Sequence, residues 1–284
     1  MDFRLSPATL AHRITEGQYR LFPHVKLLNQ RLMDVVAGRV RRLAVSMPPR
    51  HGKSELISHF LPAWYLMMHR TKRVILTSYG ADFAADWGRK ARSVIEEFGP
   101  SLYGVEIDPR SSAADRWDLK GHAGGMITAG AGGPITGRGG SLIIVDDPIK
   151  NMEEAQSQLQ RDKIWDWFRS ALLTRGTYDV SVIVVMTRWN EDDLIGRLLR
   201  SDGPKWEIMR LPAIAECDEP WGRKRGEALC PGLFPLKTLE SIRSEVGSYV
   251  WAGLYQQRPA PPEGGIIKSA WFKGRRWVKG VHPG

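Results

Sequence analysis

One stretch constrains the fold of this 284-residue chain more than any other: Ala44-Val45-Ser46-Met47-Pro48-Pro49-Arg50-His51-Gly52-Lys53-Ser54-Glu55. A short apolar run feeds a Pro-Pro turn and then Gly-Lys-Ser, after which Leu56, Ile57, Phe60 and Leu61 recur at helical spacing. Strand, loop and helix in that order make the setting a phosphate-binding loop requires. Gly52 lets the backbone approach an anion, and the following helix offers free N–H groups and its positive dipole end. Residues 49–55 (Pro49, Arg50, His51, Gly52, Lys53, Ser54, Glu55) are the candidate nucleotide contacts. Lys53 is placed for the β- and γ-phosphates of ATP and Ser54 for Mg²⁺. Met47 stands where the usual motif has its first glycine.

A phosphate loop needs a second strand that ends in acid. Leu142-Ile143-Ile144-Val145-Asp146-Asp147 supplies four apolar residues and two carboxylates, as a buried parallel strand with its ligands at the carboxyl end does. Asp146 is the expected second Mg²⁺ residue, and Asp147, on another face, the group that orients or deprotonates the attacking water. Residues 180–186 read as a further apolar strand, with Thr187 at its tip as a γ-phosphate sensor. Arg138 lies in the Gly-rich stretch before the acidic strand. There it reads equally as a finger stabilising the transition state, in cis or from a neighbour, or as a loop arginine on carbonyls or DNA. Arg50 is similarly placed.

Alternation of strand-like and helix-like segments around these motifs predicts an α/β fold: a three-layer P-loop ATPase of the additional-strand type, with a mostly parallel central sheet and helical additions. Residues 1–40 read as a helical segment, 41–211 as the ATPase core, 212–257 as a loop-rich and helical extension, and 258–284 as a linker. Single helices are expected over 81–98, 153–173 and 192–199, and a pair over 236–245 and 247–256. The net charge of +10 favours a polyanionic partner, nucleic acid first. Cys217 and Cys230 lack zinc-ligand spacing and at most form one disulfide. The apolar runs are too short to span a bilayer and no signal peptide is visible, so a soluble, intracellular protein is expected.

Taken together, Met47-Pro48-Pro49-Arg50-His51-Gly52-Lys53-Ser54, Ile135-Thr136-Gly137-Arg138-Gly139, Ile144-Val145-Asp146-Asp147-Pro148 and Met186-Thr187-Arg188-Trp189-Asn190-Glu191-Asp192-Asp193-Leu194 resemble the large terminase subunit of tailed bacteriophages and prophages. The resemblance covers roughly residues 20–275. It implies an ATP-driven motor that moves double-stranded viral DNA into a procapsid in the host cytoplasm. Its implied partners are the portal protein and the small terminase subunit, and its implied assembly is a homo-oligomeric ring on the portal, with a monomer allowed away from it. Lys53, Ser54 and Asp146 match the nucleotide and metal residues, and Asp147 the catalytic acid, where the family usually has Glu. Thr187 matches the start of the motif that couples hydrolysis to DNA movement. Arg138 is similar in position to a trans-acting arginine finger. The adenine-contacting segment points to residues 24–30, with Gln30 as candidate. Gln256-Gln257-Arg258-Pro259 looks like the junction to a nuclease domain, but no acid cluster follows Glu263, so nuclease activity is not expected of this chain. The competing readings are a helicase-like DNA remodeller, a small-molecule kinase, and an assembly protein that binds nucleotide without hydrolysing it.

Overall fold

The computed structural model describes residues 3–135, 139–201 and 205–259. Eight strands form one sheet: β1 (Arg42–Ser46), β2 (Arg73–Ser78), β3 (Ile107–Ser112), β4 (Arg116–Leu119), β5 (Gly125–Gly130), β6 (Gly140–Asp146), β7 (Gly176–Met186) and β8 (Glu207–Arg210), in the order β3-β4-β5-β2-β6-β7-β1-β8. The six strands from β5 to β8 run parallel. Only β4 is antiparallel to its neighbours β3 and β5, giving the sheet one mixed edge.

Side chains alternate across the central strands and so build two cores. Leu43, Val45, Val74, Leu76, Leu142, Ile144, Ile183 and Val185 face one way. There they meet α1 (Pro7–Ile14), α2 (Pro23–Val36), α3 (Leu61–Met68) and α4 (Ala81–Tyr103). Ala44, Ile75, Ile143, Val145, Val182 and Val184 face the other. Their cover is α6 (Gln158–Trp167), the helical turn Phe168–Leu172 and α7 (Leu194–Arg200). This is the expected three-layer arrangement. Strands that are buried on both faces read as unbroken apolar runs, which is why β6 and β7 stand out in the sequence.

Helix boundaries depart from expectation where local chemistry intervenes. The N-terminal segment is not one helix: Glu16 and Gly17 take positive φ, and α2 begins afresh with Pro23 in its first turn, where a missing N–H costs nothing. The helix expected over 153–173 breaks at Ser157, whose extended backbone ends α5 (Met152–Gln156) while its hydroxyl caps α6 through Gln160 N–H. The helix from Ala81 runs past Gly99-Pro100 to Tyr103 and stops at left-handed Gly104. In α8 (Leu236–Val250), Gly247 is non-helical, so the two expected helices meet at a kink and continue through a turn at Trp251–Tyr255. Cys217 and Cys230 are both free. No described helix is long and apolar enough to cross a membrane.

Leu32, fully buried on α2, belongs to the same core as β1 and β7. Leu32→Ala should therefore cost about 2–5 kcal/mol in urea unfolding. A loss below about 1 kcal/mol would show α2 to be a detachable addition rather than part of the core.

Candidate active site

Register brings the motifs together. Ser46 of β1 pairs with Met186 of β7, and Asp146 of β6 pairs with Val185 of β7 and Ser78 of β2. Four parallel strands therefore end at one level, and whatever follows them shares the carboxyl edge of the sheet. β7 lies between β1 and β6. The loop after β1 can reach the acid after β6 only across the tip of β7.

Lys53 does this. Its ammonium lies 2.9 Å from Thr187 Oγ1 and 3.1 Å from Asp147 Oδ2. Thr187 N–H in turn donates to Asp147 Oδ1 at 2.7 Å. One residue back, Asp146 faces the opposite way and is completely buried. Ser54 Oγ donates to its Oδ1 at 2.9 Å, and Ser58 Oγ donates to its Oδ2 at 2.7 Å. Burial first, and the neighbouring Asp147 carboxylate second, push the Asp146 pKa upward. A buried carboxylate held by two hydroxyls and destabilised as an anion suits a hard divalent cation. Ser54 Oγ and Asp146 Oδ1 are the oxygen donors such an ion takes.

The backbone is strained where the chemistry is expected. Asp147 has φ 42° and Arg50 φ 60°, both left-handed and neither glycine. Asp enters this region more readily than longer side chains, because its short carboxylate bonds to nearby backbone. At Asp147 the conformation is held from three sides: its N–H donates to Val185 O at 2.9 Å, its carbonyl accepts from Tyr79 N–H at 3.2 Å, and its side chain is bound to Thr187 and Lys53. A short Asp side chain fits this left-handed position at less cost than a longer Glu would. Gly52 has φ 86°.

The rest of the loop is braced rather than free. Met47, in place of a glycine, is fully buried in the core below the loop. His51 is buried, stacks on Phe234 with ring centroids 4.6 Å apart, and has Nδ1 2.8 Å from Pro49 O. Its carbonyl oxygen lies 3.1 Å from Nε2 of His24, at the start of α2. Arg50 is exposed. Glu55 turns to His59 at 2.7 Å and Lys90 at 3.8 Å. Gln30 lies on the exposed face of α2; the residue of that helix that meets the loop is His24. Arg138 lies outside the described residues. Ser58 was missed in the sequence, although its spacing of four from Ser54 puts both hydroxyls on one helix face. Asp193 was also missed: it accepts from Gly196 N–H at 2.9 Å to cap α7 and from Arg188 Nε at 2.6 Å, buried throughout. An Asp directly before an apolar helical run was its signal.

Strand order, phosphate loop and paired acids define a P-loop ATPase fold of the additional-strand type. The family profile described as terminase large subunit, T4likevirus-type, N-terminal, matches residues 45–273. The chain belongs to the terminase large-subunit family. No curated protein matches it. Among solved structures, a mutant of the large terminase ATPase domain of Thermus phage P74-26 aligns with TM-score 0.53 and 12% identity, over 78% of this chain and 90% of that one. The bacteriophage HK97 large terminase aligns with TM-score 0.44 and 18% identity, over 66% of this chain and 39% of that one. The large terminase of a thermophilic bacteriophage, in complex with ADP, aligns with TM-score 0.44 and 8% identity, over 78% of this chain and 51% of that one. The chain thus covers 90% of the first of these structures but only 39% and 51% of the two longer terminases.

Two expectations follow from the loop. Gly52→Ala meets no steric block, since an added Cβ would come no closer than 3.9 Å to Tyr19 Oη, but φ 86° costs an L-residue about 1–2 kcal/mol. It should weaken nucleotide binding, measured by fluorescent-nucleotide titration, more than it lowers the melting temperature. Burial pushes the His51 pKa from 6.5 down to about 4. Between those values the unfolded chain binds a proton that the folded chain refuses, so stability falls as pH falls. Urea unfolding should show a loss of about 2 kcal/mol from this group between pH 7.5 and 5. That share of the slope should disappear in His51→Gln.

Proposed function

We propose that this chain is a Mg²⁺-dependent ATP hydrolase whose turnover drives double-stranded viral DNA into a procapsid. The observation that carries the reading is the position of Lys53: one ammonium 2.9 Å from Thr187 Oγ1 and 3.1 Å from Asp147 Oδ2, beside the buried Asp146 and its Ser54 partner. Lys53 neutralises charge on the β- and γ-phosphates. Ser54 and Asp146 would hold Mg²⁺, which when bound would offset charge on the phosphates. Asp147 orients the attacking water and accepts its proton at a carboxylate oxygen. Thr187, already bonded to both Lys53 and Asp147, is the γ-phosphate sensor. Arg50 and Arg138 are the candidate fingers, in cis or from a neighbouring subunit.

Family and charge support the substrate, partners and place proposed here. The net charge of +10 supports a nucleic-acid track bound through phosphate neutralisation. Double-stranded DNA, the portal protein, the small terminase subunit and a ring of identical subunits are the proposed partners, at the procapsid portal in the host cytoplasm.

Steady-state ATP hydrolysis tests this. Activity should vanish with EDTA and return with excess Mg²⁺. Asp147→Asn should lower kcat by about 10²–10⁴, and Lys53→Ala by about 10²–10³ or more. Turnover per subunit should rise with protein concentration if a neighbour supplies the arginine. Phosphate released at the parent rate by Asp147→Asn would remove Asp147 from the mechanism. Tight nucleotide binding without turnover, with or without duplex DNA, would turn the reading toward a non-hydrolysing assembly protein.

A further inference from the structure

The tip of β7 is held from a second direction, by residues that the hydrolytic reading does not use. Arg188 follows Thr187, and its N–H donates to Gln257 Oε1 at 3.3 Å. Gln257 is 1% exposed, takes a left-handed φ of 56°, and donates through its amide nitrogen to Leu254 O. Four residues earlier, Gly253 allows the terminal helical turn to lie directly on the same tip: a Cβ there would stand 2.9 Å from the Arg188 carbonyl oxygen. Tyr249 Oη adds a bond to Trp189 O at 3.4 Å. The Arg188 side chain leaves in the opposite direction, to buried Asp193. Both backbone polar groups of Arg188 are therefore set against residues 253–257.

This matters because a peptide unit is rigid. The 186–187 peptide is fixed when Thr187 N–H donates to Asp147. The 187–188 peptide is fixed when Arg188 N–H donates to Gln257. With both planes set, the Thr187 backbone is held where one χ1 rotamer keeps its hydroxyl 2.9 Å from the Lys53 ammonium. The neighbouring glutamine does different work: the Gln256 amide accepts from Ile214 N–H and donates to Ile214 O, each at 3.0 Å, away from the β7 tip.

We propose that Gln257 is a positioning residue for hydrolysis, holding the β7 tip so that Thr187 meets Asp147 and Lys53, and so making turnover depend on residues 253–257. This rests on reading Thr187 and Asp147 as parts of a hydrolytic site. A backbone at positive φ with a buried side chain is strained unless its surroundings impose it, and here the bond it secures is one residue from the reacting groups.

The test compares Gln257→Leu with Gln256→Leu in the full chain, by ATP hydrolysis and by amide hydrogen exchange at single residues. Gln257→Leu should lower kcat by about tenfold or more while KM for ATP changes less than about threefold, the pattern of lost positioning. Exchange at the Thr187 and Arg188 amides should quicken by about tenfold, with Ile183 in the middle of β7 unchanged. Gln256→Leu should leave kcat within about twofold. Should Gln257→Leu fail to fold, Gly253→Ala, which displaces the Arg188 carbonyl, is read in the same way. Parent-like kcat in a folded Gln257→Leu protein, or unaltered exchange at Thr187 and Arg188, overturns the proposal. If the parent chain binds nucleotide but does not turn over, the hydrolytic reading fails, and the exchange result alone decides whether Gln257 positions the tip.

Discussion

An ammonium group reaching across the end of one strand to the carboxylate at the end of the next ties this structure together. Lys53, Thr187 and Asp147 follow three different strands, and they meet because β7 lies between β1 and β6 and all three stop at one level. Such a contact is costly to form. Lys53 is 7% exposed and Asp146 not at all, and ions taken out of water gain little net unless every charge has a partner and every oxygen a donor. The four carboxylate oxygens of Asp146 and Asp147 accept from Ser54, Ser58 and Thr187 or face Lys53. Removing one partner leaves another charge stranded, so the site is a unit rather than a set of independent residues.

The same unit explains where strain is tolerated. Asp147 and Arg50 take left-handed backbone, a conformation that persists when surrounding bonds over-determine it. For Asp147 those bonds come from Val185, Tyr79 and Thr187, which belong to the sheet or to residues just past it. For the phosphate loop the support is aromatic and lateral: His24 from α2 and Phe234 from the segment before α8 hold His51 on two sides. Burial keeps His51 uncharged near neutral pH, which keeps a further cation out of the loop beside Lys53.

Much of this was legible in the chain. Unbroken apolar runs ending in acid announce buried parallel strands, and Gly-Lys-Ser between a strand and a helix announces the loop, because each pattern is local and each residue type has one dominant physical use there. What was not legible depends on distance along the chain. The interposition of β7 joins residues about 130 positions apart, and the sequence carried it only as a further apolar strand with Thr187 at its tip. The break at Ser157 was hidden because a side-chain cap competes with helical periodicity on nearly equal terms. His24 and Gln257 lie in stretches the resemblance pointed to, but only the fold shows that their side chains end on backbone next to reacting groups. Gln30, chosen from the same helix as His24, lies on its exposed face, since six residues around a helix is a change of side. Arg138 lies outside the described residues, and its role stands on the sequence alone.

A crystal structure of this chain with Mg²⁺, ADP and a γ-phosphate mimic such as aluminium fluoride tests the central claim most directly. The account predicts that the metal binds Ser54 Oγ and Asp146, that Lys53 leaves Asp147 for the phosphates, and that Asp147 and Thr187 face the mimic. Nucleotide bound away from residues 49–55, or a metal held without either Ser54 or Asp146, would contradict it.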